Sequence, residues 1–270
     1  MNILRSAARW RNVRRTLRGS IGFVPTMGAL HPGHLSLLER SMNECDITVL
    51  SIYLNPTQFD NPADLECYPE TLERDLELAR ALGVDWLIIP DYDEIYRDGY
   101  RFQVREREFS KELCGAHRDG HFTGVLTVVL KLLNLVRPER AYFGEKDYQQ
   151  YLLIRDMCDA FFLDVDIVPC TTVRECDGLA MSSRNAYLDE RGRDRAPRLH
   201  ALLTSQLNDE HVAVELARAG FKVDYVITRA ARRFAAASLH CGHREIRLID
   251  NVSLTPKAIS EQPMAKQETP

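Results

Sequence analysis

The chain has 270 residues, long enough for one sizeable core and a smaller second domain. Its formal net charge of −4 and pI near 6.1 argue against bulk attraction to nucleic acid or to an anionic membrane, so small-molecule partners are expected. No apolar run reaches the ~20 residues a membrane span needs, and seven cysteines without a C-x-x-C pair read as reduced cytosolic thiols, not as a disulfide framework or zinc site.

The opening stretch, MNILRSAARWRNVRRTLR, is Arg-rich and amphipathic in the manner of a transit peptide. The first core strand is expected at Ile21, which leaves no room for a cleavable leader. Ile3, Leu4, Trp10, Val13 and Leu17 instead suit a packed helix with a basic outer face. Ile21 to Val24 reads as a buried strand, ended by Pro25 and Gly28. From Gly33 onward Leu35, Leu38, Met42 and Cys45 recur at helical spacing. The loop between them carries His31-Pro32-Gly33-His34. It sets two imidazoles at the mouth of a helix whose first N–H groups lack partners and whose dipole favours anions, the outline of a phosphate site.

Asp46 to Leu54 follows as a central parallel strand that ends in Asn55-Pro56-Thr57-Gln58-Phe59. Polar residues in that position are where open α/β sheets hold ligands. Residues 61–69 form a polar loop, and Thr71 to Leu82 an amphipathic helix with Leu72, Leu76, Ala79 and Leu82 on one side. Val84 to Ile89 is a third strand, closed by Pro90. Residues 91–115 are charged and irregular, with a short strand expected around Phe102 to Val104 as a lid or edge excursion. His121 to Val136 is apolar nearly all round, which marks a buried helix. Arg140 to Phe143 makes a fourth strand, a helix runs to about Phe162, and Asp164 to Thr172 supplies one more strand. This recurring order predicts an α/β fold, a Rossmann-like doubly wound parallel sheet with right-handed crossovers. After Arg184 the chain is helical and charged from Tyr187 through about Gly220, with strands expected at Val223 to Ile227 and Arg244 to Ile249. The expected domains are therefore 1–172, a smaller α+β unit at 173–254, and a frayed tail at 255–270.

Four polar clusters stand at strand ends or in loops: PTMGALHPGH at 25–34, NPTQF at 55–59, FGEKDYQQ at 143–150 and MSSRN at 181–185. Their combination resembles the pantothenate synthetase (pantoate–β-alanine ligase) family of the HIGH-motif nucleotidylyltransferase superfamily. The match extends through HFTGVLTVVLKLLNLVRPERAYFGEKDYQQ and DGLAMSSRNAYL, and RLIDN at 247–251 is its strong point further on. The resemblance implies an ATP-dependent ligase that condenses (R)-pantoate with β-alanine through a pantoyl adenylate, releasing pyrophosphate and AMP. It also implies Mg²⁺ on the ATP phosphates, a homodimer and a cytoplasmic location. The sequence assigns no protein ligands to the metal.

The same resemblance distributes roles. Catalysis would fall to His31, His34, Lys146 and Arg184, with His34 as proton donor, because negative charge grows on the phosphoryl oxygens during adenylation. Met27, Gly28, Ala29, Leu30, Pro32 and Gly33 would line the nucleotide together with the two histidines. Gly144 and Glu145 would offer backbone to the adenosine end, Lys146 would meet phosphate and Asp147 the ribose hydroxyls, while Val173 would touch adenine. Met181, Ser182, Ser183 and Arg184 would form the mobile loop over the β- and γ-phosphates. Pantoate would be held by Gln58 and Gln150, with Pro25, Thr26 and Met27 on its apolar side and Asn55 and Tyr68 assisting. Gln58 would also meet β-alanine. Three departures stand out: a shortened C-terminal part with helix lost between Leu207 and His211, Glu70 in YPET where relatives often have Arg, and HFTG as a variant of HF-x-G. A nucleotidylyltransferase acting on a phosphorylated acceptor should carry extra basic residues there. The neutral Gln58 and Gln150 favour a carboxylate-and-hydroxyl acceptor instead.

Overall fold

A computed structural model describes residues 1–255, and the expected frayed tail lies outside the described residues from 256 onward. Strands β1 (Asn2–Leu4), β2 (Ile21–Thr26), β3 (Ile47–Ile52), β4 (Trp86–Ile88), β5 (Arg140–Gly144) and β6 (Asp166–Cys170) form a six-stranded parallel sheet in the order β1-β4-β3-β2-β5-β6. Between them run α1 (Ala7–Thr16), α2 (Pro32–Glu44), α3 (Pro62–Glu66), α4 (Leu72–Leu82), α5 (Tyr92–Ile95), α6 (His121–Val136) and α7 (Tyr148–Ala160).

Central strands covered on both faces need apolar residues at successive positions, and the alternation sorts them. Phe23, Val49, Ala141 and Phe143 join the core under α1, α6 and α7, while Val24, Leu50 and Tyr142 face α2 and α4. The chain builds from β2 outward through β3 to β4, then returns to place β5 on the other side of β2. That reversal opens a crevice between the carboxyl ends of β2 and β5, the position at which such sheets bind ligands.

The amino terminus differs from expectation. Ile3 and Leu4 are not helical but pair with Leu87 and Ile88 as an edge strand, and the helix starts only after Ser6, whose side chain caps it. An unpaired edge of β4 and a local cap together outweigh a helical pattern that the arginines extended too far. The buried face of α2 is Leu37, Leu38 and Ser41, while Met42 is 37% exposed. Ser41 reaches the sheet because its hydroxyl pairs with Thr48 at 2.8 Å, a polar contact that hydrophobic periodicity does not register. The polar loop at 61–69 contains the short α3, capped by Asn61. No strand forms at Phe102 to Val104: the Val104 N–H donates to Thr127 Oγ1 at 2.9 Å rather than to a ladder.

Beyond β6 come α8 (Glu190–Arg195), α9 (Arg198–Leu203) and α10 (Asp209–Arg218), packed on an antiparallel sheet of β7 (Phe221–Arg229), β8 (Arg232–Cys241) and β9 (Arg244–Ser253). The middle strand β8 was not expected. Its Ala235-Ala236-Ala237 run has low strand propensity, yet all three are buried between two neighbours where small side chains fit. One face of this sheet packs on the helices, and Tyr225 and Ile249 pack against the core of the large sheet. Among the described residues no helix is long and apolar enough to cross a membrane.

Candidate active site

Strand β2 ends at Thr26, whose hydroxyl donates to the Ser51 carbonyl at 2.8 Å and ties the exit of β2 to β3. The chain then reverses through Gly28 (φ 85°) and Ala29 (φ 52°). A side chain on Gly28 would be strained at that angle and would press on Asp75, with 3.1 Å between its Cβ and Oδ2. Asp75, on α4 and 1% exposed, accepts from the Ala29 and Leu30 N–H groups at 2.8 Å each and from Thr71 Oγ1 at 3.1 Å. These amides therefore face a buried carboxylate of the protein itself. Gly28, Ala29, Leu30 and Pro32 shape the loop without lining the cavity.

His31 is the N-cap of α2, and its Nδ1 accepts from the Gly33 N–H at 3.1 Å. The helix mouth is thus partly capped, contrary to the expectation of unpartnered first amides, and what it presents to the cavity is imidazole. The His31 and His34 rings stack at 4.0 Å between centroids. Burial, then the nearby Lys146 charge, lowers His31 to about 4 against an opposing pull from Asp147. Burial, then His31 and Lys146, lowers His34 to about 3. Both rings are neutral at pH 7, and since His31 Nδ1 is an acceptor its proton sits on Nε2.

The turn at Pro56–Gln58 packs directly on α6 at Gly124. Asn55, 1% exposed, donates to Gln58 Oε1 at 3.0 Å, while its own oxygen accepts from Tyr96 at 2.8 Å and Thr57 at 3.0 Å. Its hydrogen-bonding capacity is occupied within the protein, one of its bonds holding Gln58. The Gln58 amide group is left on the weak acceptor Met27 Sδ at 3.1 Å. His121 anchors the same turn: Arg118 Nη1 can only donate to its Nε2 at 3.0 Å, so Nδ1 carries the proton and donates to the Gln58 carbonyl at 2.8 Å. Burial, then the Arg118 charge, lowers His121 to about 3.

Arg118 also donates to Asp60 at 2.8 Å and lines the cavity. It is a site cation that the sequence reading passed over, since one arginine in a charged loop carries no local signal.

After β5, Glu145–Asp147 makes a single turn in which Lys146 Nζ lies 3.5 Å from Asp147 Oδ2. The Glu145 and Lys146 carbonyls accept from Asn251 of β9 at 2.8 and 2.9 Å, and Glu145 does not line the cavity. Gln150 lines it, with no side-chain partner among the described residues. Met181 donates to the Val173 carbonyl at 3.0 Å, Ser182 accepts from the Arg184 N–H at 3.2 Å, and Ser183 meets the Tyr68 hydroxyl at 3.3 Å. Arg184 reaches Asp64 of α3 at 3.2 Å. The 181–184 loop thereby meets the α3 segment across the cavity mouth.

His31, His34, Lys146, Arg184, Gln58 and Gln150 all line one cavity of about 240 Å³. It is shared by Pro25, Thr26, Met27, Gly33, Asn55, Tyr68, Gly144, Asp147, Val173, Met181, Ser182 and Ser183. Val125, Val128, Val129 and Leu132 of α6 make an apolar wall. The lining combines cations and N–H donors with carboxamides and hydrocarbon, which suits a polyanion beside a small hydroxy acid. An adjoining cavity shares Arg118, Lys146 and Arg184 and continues to Arg247 and Asp250 on β9.

Fold and cavity define a doubly wound α/β protein with its ligand cavity at the switch point between β2 and β5. The chain belongs to the pantoate–β-alanine ligase family, whose model matches residues 2–253, and it is accordingly a ligase. It is 50% identical to the pantothenate synthetase of Bdellovibrio bacteriovorus across 93% of this chain and 99% of that relative. Against that of Legionella pneumophila it is 47% identical across 94% and 100%. The crystal structure of the Francisella tularensis pantoate–β-alanine ligase, complexed with beta-gamma ATP and β-alanine, superposes with a TM-score of 0.89 at 39% identity, covering 94% of this chain and 98% of that one. The Thermus thermophilus pantothenate synthetase gives a TM-score of 0.83 at 39% identity, covering 95% and 100%. The compact C-terminal part is therefore shared with relatives that the chain spans almost end to end.

Proposed function

We propose that the protein joins (R)-pantoate to β-alanine in two steps, through a pantoyl adenylate. The observation that carries this reading is the convergence of His31, His34, Lys146, Arg184, Gln58 and Gln150 on one cavity in a chain of this family. A carboxylate is a poor acyl donor until it carries a good leaving group, so ATP would supply activation and the protein position and charge.

In the first step the pantoate carboxylate attacks the α-phosphate of ATP and pyrophosphate departs. Lys146 supplies full positive charge to the phosphoryl oxygens. His31 and His34, neutral in this structure, supply N–H donors, so His34 acts as a hydrogen-bond donor before any proton moves. Arg184 exchanges Asp64, an exposed partner, for the β- and γ-phosphates. Val173 and Asp147 take adenine and ribose. Gln58 and Gln150 meet the pantoate hydroxyls and carboxylate, with Pro25, Thr26 and Met27 against its methyl groups. Mg²⁺ would be held by the ATP phosphates and water.

In the second step the β-alanine amine, beside Gln58, attacks the acyl carbon and AMP leaves. An alkylammonium titrates near 10.4, in the manner of Lys, and the departing phosphate is the group placed to take its proton. The 173–254 unit acts as a lid, and a cytoplasmic homodimer is the assembly we propose. With pure protein, Mg-ATP and pantoate, pyrophosphate should appear only when pantoate is present, and AMP should follow once β-alanine is added. Pyrophosphate release indifferent to pantoate would sink the reading.

A further inference from the structure

We propose that Asn251 is a positioning residue for Lys146, through which the small sheet sets the geometry of the nucleotide loop. The proposal rests on the reading of Lys146 given above. Asn251 lies on β9 opposite Phe234, is 4% exposed, and does not line the ligand cavity. Its amide donates to two consecutive carbonyls, Glu145 at 2.8 Å and Lys146 at 2.9 Å, and so grips the peptide units on both sides of the Lys146 Cα.

The direction of that grip is fixed. Arg232 donates to Asn251 Oδ1, and because a guanidinium has no acceptor the amide cannot be turned round without losing all three bonds. Arg232 is itself held, lying 3.8 Å over the Tyr148 ring and 3.7 Å from Glu145 Oε1. The neighbouring Asp250 accepts from the Asn251 N–H at 2.7 Å and binds Arg174 at 2.7 and 2.9 Å. Arg174 opens the hairpin, bridged to Ala180, that leads into Met181–Arg184. Two successive residues of β9 thus tie down both loops whose cations face the phosphates. Orientation matters here because misplacing a reacting group by ~1 Å costs on the order of a hundredfold in rate.

A double-mutant cycle separates positioning from mere packing. Asn251→Ala should lower the rate constant for pantoate-dependent pyrophosphate release about 10- to 100-fold, with the KM for pantoate changed less than about threefold. In a Lys146→Ala background the same substitution should change the rate less than about twofold, since no ammonium remains to be placed. Additive losses would overturn the proposal. Arg232→Met, which leaves Asn251 in place but removes the donor to its oxygen, should give a smaller loss that also vanishes in the Lys146→Ala background. It carries the cycle if Asn251→Ala does not fold, and additivity there overturns the proposal equally. The ATP dissociation constant read across the same four proteins keeps the two ideas apart. A wild type that makes no pantoate-dependent pyrophosphate sinks the ligase reading. Positioning then stands only if Asn251→Ala weakens ATP at least about fivefold with Lys146 present and not without it.

Discussion

Three histidines govern how this protein meets acid. His31 is lowered to about 4, and His34 and His121 to about 3, in each case first by burial and then by neighbouring positive charge. The unfolded chain takes up these protons near 6.5 and the folded chain does not, so the stability they contribute is complete above that pH and drains away as pH falls toward 4 and then 3. Each buried imidazole accounts for at most about 1.4 kcal/mol per pH unit in that window. Urea midpoints should therefore drop steadily from about pH 6.5 to 4.5, and His121→Gln should flatten the slope by about one proton. A midpoint indifferent to pH over that range would show that these rings are charged in the fold. Both loop histidines are legible from HPGH, because two imidazoles flanking Pro-Gly after a strand form a local pattern. Arg118 and Asp75 are not, because what makes them matter lies 58 and 45 residues away along the chain.

Helix α6 is the element on which the Gln58 turn and the apolar wall of the cavity are built. At Gly124 a Cβ would stand 2.2 Å from the Thr57 carbonyl oxygen, so any side chain there must push the turn that carries Gln58. Gly124→Ala should destabilise the protein by about 1–3 kcal/mol, as overpacking does. It should also raise the KM for pantoate about tenfold or more while leaving ATP affinity within about threefold. Thermal unfolding with steady-state kinetics checks both; an unchanged KM would detach the turn from pantoate. The helix itself is legible at 121–136 because sixteen largely apolar residues without a proline permit little else. The 102–104 segment and β8 misled in opposite directions for one reason. Alternation and propensity describe a strand's own residues, whereas a strand exists only where a neighbour offers a ladder.

At the scale of the whole molecule, β9 reaches the turn after β5 through Asn251, and through Asp250 it holds Arg174 and His200 of its own unit. Burial alone would raise the Asp250 carboxyl, yet His200 and Arg174 beside it hold it below the usual range. Arg174→Met should cost about 3–5 kcal/mol in urea unfolding, because it strands a carboxylate whose side chain is 2% exposed. Adding Asp250→Asn should recover part of that loss, and a cost under about 1 kcal/mol would mean that the carboxylate stays solvated. By itself the sequence determined the parallel α/β sheet and the four polar clusters. Strand, loop and helix each announce themselves in local periodicity, and a parallel sheet then gathers every strand's carboxyl end on one edge. Only the tertiary structure decided that Asp75 would occupy the loop amides, that Arg118 would join the cations, that Asn2–Leu4 would be a strand, and that Asn251 would grip the Lys146 turn from 105 residues away. Those partnerships follow from how distant elements pack, and residue spacing along a chain carries no record of which elements become neighbours.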